Sequence, residues 1–282
     1  MQHGYGTKLK TALAEKAILP FIGVYDTFSA SLAARHFDGI FVSGFSFAAS
    51  FYGMPDIGLI SWSDLVAFVR RIRTVLPETH ILVDMDDGYA DEEVACHVVS
   101  LLESAGASGI VLEDQKRPRR CGHLDGKKLL PLEDFLPKLR RVMDARKEMV
   151  VIARTDASTP DDILERIRAF DKAGADWLLA DGISDLEVVG RIKSCTGKPL
   201  VFNQIAGGKS PHLSLTDLNT RGISVVLFST PCLFAAMDGV EESLRRLKEG
   251  DGLLPAPPAE GSGLAPCVAI LEQNLSRCRF PG

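Results

Sequence analysis

Eight short apolar runs, each ending on a polar residue, constrain this 282-residue chain more than any other feature. They are ILPFIGVYD (18–26), GIFVSG (39–44), HILVDMDDG (80–88), GIVLEDQ (109–115), MVVIARTD (149–156), WLLADG (177–182), LVFNQIAGG (200–208) and SVVLFST (224–230). Segments of helical period fit between most of them. Asp91–Ala105 places Val94, Val98, Leu101 and Leu102 at core spacing, and Leu132–Arg146 and Asp161–Ala173 follow. In TPDDILERI, Thr159 can cap, Pro160 suits a first turn, and the two aspartates favour the positive end of the helix dipole. Alternation of this kind builds βα units on a parallel sheet. Eight units in about 240 residues predict a (β/α)8 TIM barrel over 1–248. An open doubly wound sheet fits less well, because no glycine-rich phosphate turn follows the first run. The tail, 249–282, reads as a Gly/Pro-rich connector (249–266) and one short helical arm (267–277).

Composition excludes several function classes. A net charge of −5 argues against a nucleic-acid partner. The one dense basic run, Lys116-Arg117-Pro118-Arg119-Arg120, could mimic a nuclear-import or RNA-contact patch, but acids and a Cys-Gly-His segment flank it. The six cysteines form no CxxC pair, which fits a reducing cytoplasm. Neither a signal peptide nor a membrane span is expected. Cys96, Cys195 and Cys232 are expected as buried hydrophobes.

In a barrel, function collects at the C-terminal ends of the strands. Here those ends carry Asp26, Ser43, Asp84, Asp86, Glu113, Asp114, Arg154, Asp156, Asp181, Asn203 and Ser229. Any one of them could be a residue that simply meets solvent; their convergence on one mouth is a functional signal. Asp84 and Asp86, two apart, point to one face of their strand. Glu113 comes from the neighbouring strand and Asp56 from the loop GMPDIG. Carboxylates converging without thiol or imidazole partners suit a hard cation, Mg²⁺ or Mn²⁺. Arg154 offers a planar fork for a carboxylate, and Ser43-Gly44-Phe45 offers adjacent backbone N–H groups. Together these predict a site for a small 2-oxo or 2-hydroxy diacid.

The stretch LEDQKRPRRCGHLDGKKLLP (112–131) sets Cys121 among polar neighbours. Arg119, Arg120 and His123 would favour its thiolate, while Glu113 would oppose it. Pro118, Gly122 and Gly126 suggest a loop able to close over substrate.

With SGFSFAASFYGMPDIG, VDMDDGYAD and IARTDA, that stretch resembles the isocitrate lyase/phosphoenolpyruvate mutase superfamily from about Gly23 to Leu247. Within it the chain is most similar to short C–C lyases acting on methylisocitrate or 2,3-dimethylmalate and to oxaloacetate-cleaving relatives. The resemblance implies that Asp84 binds Mg²⁺ directly, with Asp56, Asp86 and Glu113 holding its waters. It implies that Ser43, Gly44, Phe45 and Arg154 bind the 2-oxo acid end of a di- or tricarboxylate, that Asn203 contacts the departing carboxylate, and that Cys121 is the general acid. Cys121, Arg154, Glu113 and His123 form the expected catalytic set, and Asp181 joins the substrate-binding one. A homodimer or homotetramer is implied too. The alternatives are oxaloacetate hydrolysis or decarboxylation, P–C bond rearrangement, and a barrel that binds without turnover. Three departures stand out: Phe41 where a tyrosine is frequent, Asp181 where a glutamate is usual, and Ala206 where another glutamate is expected.

Overall fold

The computed structural model describes residues 4–254 and 263–279. All eight expected strands form: β1 (Leu19–Val24), β2 (Gly39–Val42), β3 (His80–Asp84), β4 (Gly109–Glu113), β5 (Val150–Thr155), β6 (Trp177–Ala180), β7 (Leu200–Gln204) and β8 (Ile223–Phe228). Each pairs in parallel with its sequence neighbours, and β8 returns to β1, closing a (β/α)8 barrel.

The strands are buried on both faces, which is why they read as continuous apolar runs rather than alternating ones. One set of side chains, including Phe21, Phe41, Leu82, Val111, Ile152, Leu179 and Leu227, fills the barrel interior. The other set, including Ile22, Val24, Ile40, Val42, Ile81 and Val83, packs outward against the helices. The helices are α1 (Tyr5–Glu15), α2 (Thr27–Ala33), α3 (Gly44–Phe47), α4 (Trp62–Val75), α5 (Glu92–Ser104), α6 (Leu132–Ala145), α7 (Pro160–Lys172), α8 (Glu187–Cys195), α9 (Leu215–Thr220), α10 (Pro231–Glu249) and α11 (Leu264–Arg279). Thr159 caps α7 through Asp162 N–H, as its sequence promises. Asp26, a strand-end acid in the sequence reading, is spent on a capping box that starts α2.

Helix α1 has no counterpart in the sequence reading. Its Leu9, fully buried, joins the interior cluster and seals the bottom of the barrel. Gly6 permits that approach, since a Cβ there would collide with the Glu148 backbone. The C-terminal helix begins at Leu264, three residues before its expected start, and docks on the barrel through Asn274 Nδ2, which donates to Ser31 Oγ at 2.9 Å. Much of the expected connector, 255–262, lies outside the described residues.

Candidate active site

A small cavity opens at the C-terminal mouth of the barrel. Its floor is the top of the interior layer: Phe41, Val111, Leu179 and Leu227. Its walls carry Ser43, Phe45, Asp56, Asp84, Cys121, Arg154, Asp181, Asn203 and Ser229. Glu113, Asp86 and His123 are buried beside it. The strand ends therefore converge as the sequence implies.

The four acids of the expected metal set are all buried, and burial pushes the carboxyls of Asp84, Asp86 and Glu113 up. What opposes that rise is a residue the sequence reading placed elsewhere. The guanidinium of Arg119 lies among them: Nε donates to Glu113 Oε1 at 2.6 Å, and Nη1 pairs with Asp56. Among the described residues no three acids, histidines or cysteines converge tightly enough to hold a metal ion in this conformation. The donor set still fits a hard cation. Asp86 Oδ1 is buried with no hydrogen-bond partner; Arg119 Nη1 stands 3.2 Å from it, within ion-pair range but misaligned. Gly44 lets both carboxylates close on the backbone: a Cβ there would stand 3.0 Å from Asp84 Oδ2 and 3.3 Å from Asp86 Oδ1. Asp86 reaches this place from a left-handed turn residue, φ 53°, with Lys138 Nζ donating to the next carbonyl, that of Asp87, at 2.9 Å.

Arg154 is not the free fork that its sequence position suggests. Nε and Nη2 each donate to Asp156 at 2.9 Å, and Nη2 also meets Asp181 at 2.8 Å. Nη1 makes no hydrogen bond among the described residues, so one nitrogen with its two N–H groups, rather than the paired edge of the fork, remains for a ligand carboxylate. Burial alone would raise the Asp181 carboxyl, but Arg154, foremost, with His123 and Asn203, holds it well below the usual carboxylate range. Asn203 is oriented at both ends: Nδ2 donates to Asp181 Oδ1 at 3.0 Å, and its Oδ1 accepts from Ser229 Oγ at 2.7 Å.

Cys121 lines the cavity and is 9% exposed, the one fully buried cysteine among six free ones. Cys96, Cys195 and Cys232, expected in the core, are half-buried instead. Burial, first of all, pushes the Cys121 thiol up to about 12, with Asp181 and Asp56 adding to it. Burial thus opposes the thiolate that Arg119, Arg120 and His123 would favour, and leaves the proton on the sulfur, as a general acid requires. His123 Nδ1 accepts from the Lys209 backbone N–H at 3.0 Å, and its Nε2 lies 3.3 Å from Asp181 Oδ1.

The segment from Gln115 to Leu130 is folded down over the mouth. Lys127 Nζ stands 3.2 Å from Asp156, Lys209 Nζ 2.6 Å from Asp125, and Arg117 grips Asp87 with two bonds of 2.8 Å. Gly122 sits so close to Asp181 and Arg154 that any Cβ would collide with both.

The model of the phosphoenolpyruvate phosphomutase family matches residues 9–248, nearly the whole barrel. The chain belongs to the phosphoenolpyruvate mutase/isocitrate lyase superfamily. A relative from Aeropyrum pernix, 2-methylisocitrate lyase, is 32% identical over 248 residues, spanning 86% of this chain and 80% of its own. The solved structure of 2,3-dimethylmalate lyase superposes with a TM-score of 0.89 at 27% identity, covering 98% of this chain and 95% of that one. Phosphonopyruvate hydrolase, solved with oxalate and Mg²⁺, gives a TM-score of 0.83 at 26% identity, covering 99% and 100%. Relatives in this superfamily thus include both lyases and phosphonate enzymes, and the chain is an enzyme of that superfamily.

The three departures named from the sequence fall in different places. Phe41 lines the floor with no hydroxyl to offer. Asp181 faces the cavity, but Ala206 is exposed on the turn after β7 and does not line it. Of the three phenylalanines Phe45, Phe47 and Phe51 that follow β2, only Phe45 reaches the cavity; Phe47 stacks in the core 5.0 Å from Phe68, and Phe51 is 55% exposed. Residues that sequence reasoning missed are Arg119 as a counter-ion, Asp156 as the partner of Arg154, and Ser229 as the group that sets Asn203.

Proposed function

We propose that this chain is a Mg²⁺-dependent carbon–carbon lyase that splits a small 2-hydroxy or 2-alkylmalate-type diacid into a 2-oxo acid and a carboxylate. The observation that carries the reading is the placement of Cys121, its thiol pushed up by burial, on the wall of the same cavity as Asp84 and Arg154. A thiol held protonated at neutral pH is an acid in waiting, not a nucleophile.

Asp84 would hold Mg²⁺ directly, and Asp86, Asp56 and Glu113 would hold its waters; the ion would supply a Lewis acid next to the C2 oxygen. The remaining roles belong to the chain itself. Arg154 Nη1 and the backbone of Ser43, Gly44 and Phe45 bind the carboxylate of the 2-oxo acid end. Asn203, fixed by Ser229 and Asp181, binds the departing carboxylate. The C2 hydroxyl gives its proton to a carboxylate of the mouth and becomes the ketone as the C2–C3 bond breaks; the electron pair of that bond stays on the departing fragment, which takes the proton of Cys121 Sγ. His123 keeps the Gly122 turn seated against Asp181, and the segment above excludes water.

The free cysteines support a reducing cytoplasm. Met237, Val240 and Leu244, exposed on one face of α10, support a homodimer or homotetramer in which 249–282 serves as a contact arm. No helix among the described residues is long and apolar enough to cross a membrane.

A panel of 2-alkylmalates, oxaloacetate and phosphonopyruvate, followed by coupled detection of 2-oxo acids and by ³¹P NMR, tests the reading. A new 2-oxo acid from a malate-type diacid supports it. Turnover confined to the phosphonate, or to oxaloacetate, assigns the chain to the corresponding other branch.

A further inference from the structure

The acid cluster at the mouth already holds a cation from its own chain. Arg119 is fully buried, the largest side chain with no exposure. Its donors are divided unevenly. Glu113 takes Nε at 2.6 Å and Nη2 at 3.4 Å, Asp56 takes Nη1, and Asp86 Oδ1 lies 3.2 Å from Nη1. Asp84 makes no ion pair with it among the described residues; its Oδ1 accepts from the Asp86 N–H at 3.3 Å while the carboxylate lines the cavity. The cluster is thus split. Asp84 and the unpartnered Asp86 Oδ1 lie together against the backbone of Gly44, whereas Asp56 and Glu113 are turned to the guanidinium.

Four buried carboxylates cannot stay ionised side by side without a counter-charge. Arg119 supplies one, two residues before Cys121 in the same segment. Mg²⁺ keeps several of its waters and needs outer carboxylates to accept hydrogen bonds from them. The oxygens suited to that task are those to which Arg119 now donates. We propose that Arg119 is an internal placeholder for the divalent ion: guanidinium and hydrated metal compete for Asp56 and Glu113, so that loading the cage releases Arg119 and loosens the segment bearing Cys121. The inference rests on the metal reading proposed above and assigns to this arginine a coupling between cation occupancy and access to the thiol. Arg117–Asp87, Lys127–Asp156 and His123–Lys209 are separate anchors, so release at Arg119 is a local swing rather than loss of the whole segment.

Two measurements on the full chain decide it. In titration calorimetry with MgCl₂ alone, Arg119→Gln is expected to bind the ion at least about fivefold more tightly than the natural chain, with Arg119→Lys between them. In the natural chain, MgCl₂ is expected to speed alkylation of Cys121 by iodoacetamide several-fold, read by peptide mass mapping. Equal or weaker Mg²⁺ binding by Arg119→Gln, or alkylation that slows or stays constant on adding Mg²⁺, overturns the placeholder and makes Arg119 a fixed structural counter-ion. Should Arg119→Gln fail to fold, the alkylation rates of the natural chain decide alone. If no chain binds Mg²⁺, the metal reading falls and the placeholder with it; binding indifferent to Arg119 removes only the placeholder.

Discussion

Arg154 and Asp156 face each other at the end of β5 through a two-point ion pair, Nε to Oδ2 and Nη2 to Oδ1, each 2.9 Å. Residues two apart on extended backbone share a face, so the pair is built into the local sequence. It aims Arg154 and leaves only Nη1 for a ligand. Asp156 also receives Lys127 from the segment above, at 3.2 Å. Asp156→Asn is therefore expected to cost roughly 2–3 kcal/mol of stability, because both partners are buried. Urea unfolding measures it, and a cost under about 0.5 kcal/mol, typical of a surface site, would show that the pair is incidental.

The Cys121 thiol is held at about 12 against an ordinary value of 9.0, chiefly by burial. Its folded-state pKa is raised, so its contribution to stability is full below pH 9 and is lost as pH climbs toward 12. The stability difference between the natural chain and Cys121→Ala is expected to shrink between those two values. Without added Mg²⁺, alkylation of Cys121 at pH 8.5 is expected to be about a hundredfold or more slower in the folded chain than in urea. Comparable rates would mean a thiol that is neither buried nor held neutral.

Ser229→Ala removes the donor that fixes Asn203 Oδ1. A loss of about 1 kcal/mol in stability is expected. A rise in KM with kcat nearly constant is the expected kinetic signature of a residue that orients a binding group. An effect on kcat alone would place Asn203 in the chemical step instead.

Lys138 donates to the carbonyl of Asp87 next to the left-handed Asp86. Lys138→Met keeps the apolar stem on α6 but leaves that turn untethered. Mg²⁺ affinity, by calorimetry, is expected to drop about tenfold, in the range of losses seen when a supporting partner of a metal ligand is removed. Unchanged affinity would detach Lys138 from the cage.

The barrel was legible in the sequence because strands buried on both faces write themselves as local apolar runs, and a run needs no distant partner to be recognised. The convergence of Asp84, Glu113, Arg154, Asp181 and Asn203 followed from that count alone. What stayed hidden depends on distant pairing. Arg119 meets Glu113 six positions away, but Asp56 sixty-three positions away, and a basic run reads as solvated until those acids are placed around it. The signal was present in the charge balance, since four inward acids require a counter-ion. The cysteines reversed for a similar reason. The polar neighbours of Cys121 in sequence turn away to Gln115, Glu113 and Lys209, leaving the sulfur itself under the folded segment. Helix α1 went unread because its role lies in plugging the far end of the barrel.

Cleavage by Cys121→Ser tests the central claim most directly. With Mg²⁺ and a malate-type diacid that the natural chain splits, the variant is expected to lose about a thousandfold or more in 2-oxo acid formation, as removal of a general acid does. It should still bind a 2-oxo acid in the presence of Mg²⁺. Turnover by the serine variant at the natural rate would contradict the assignment of this thiol as the proton donor.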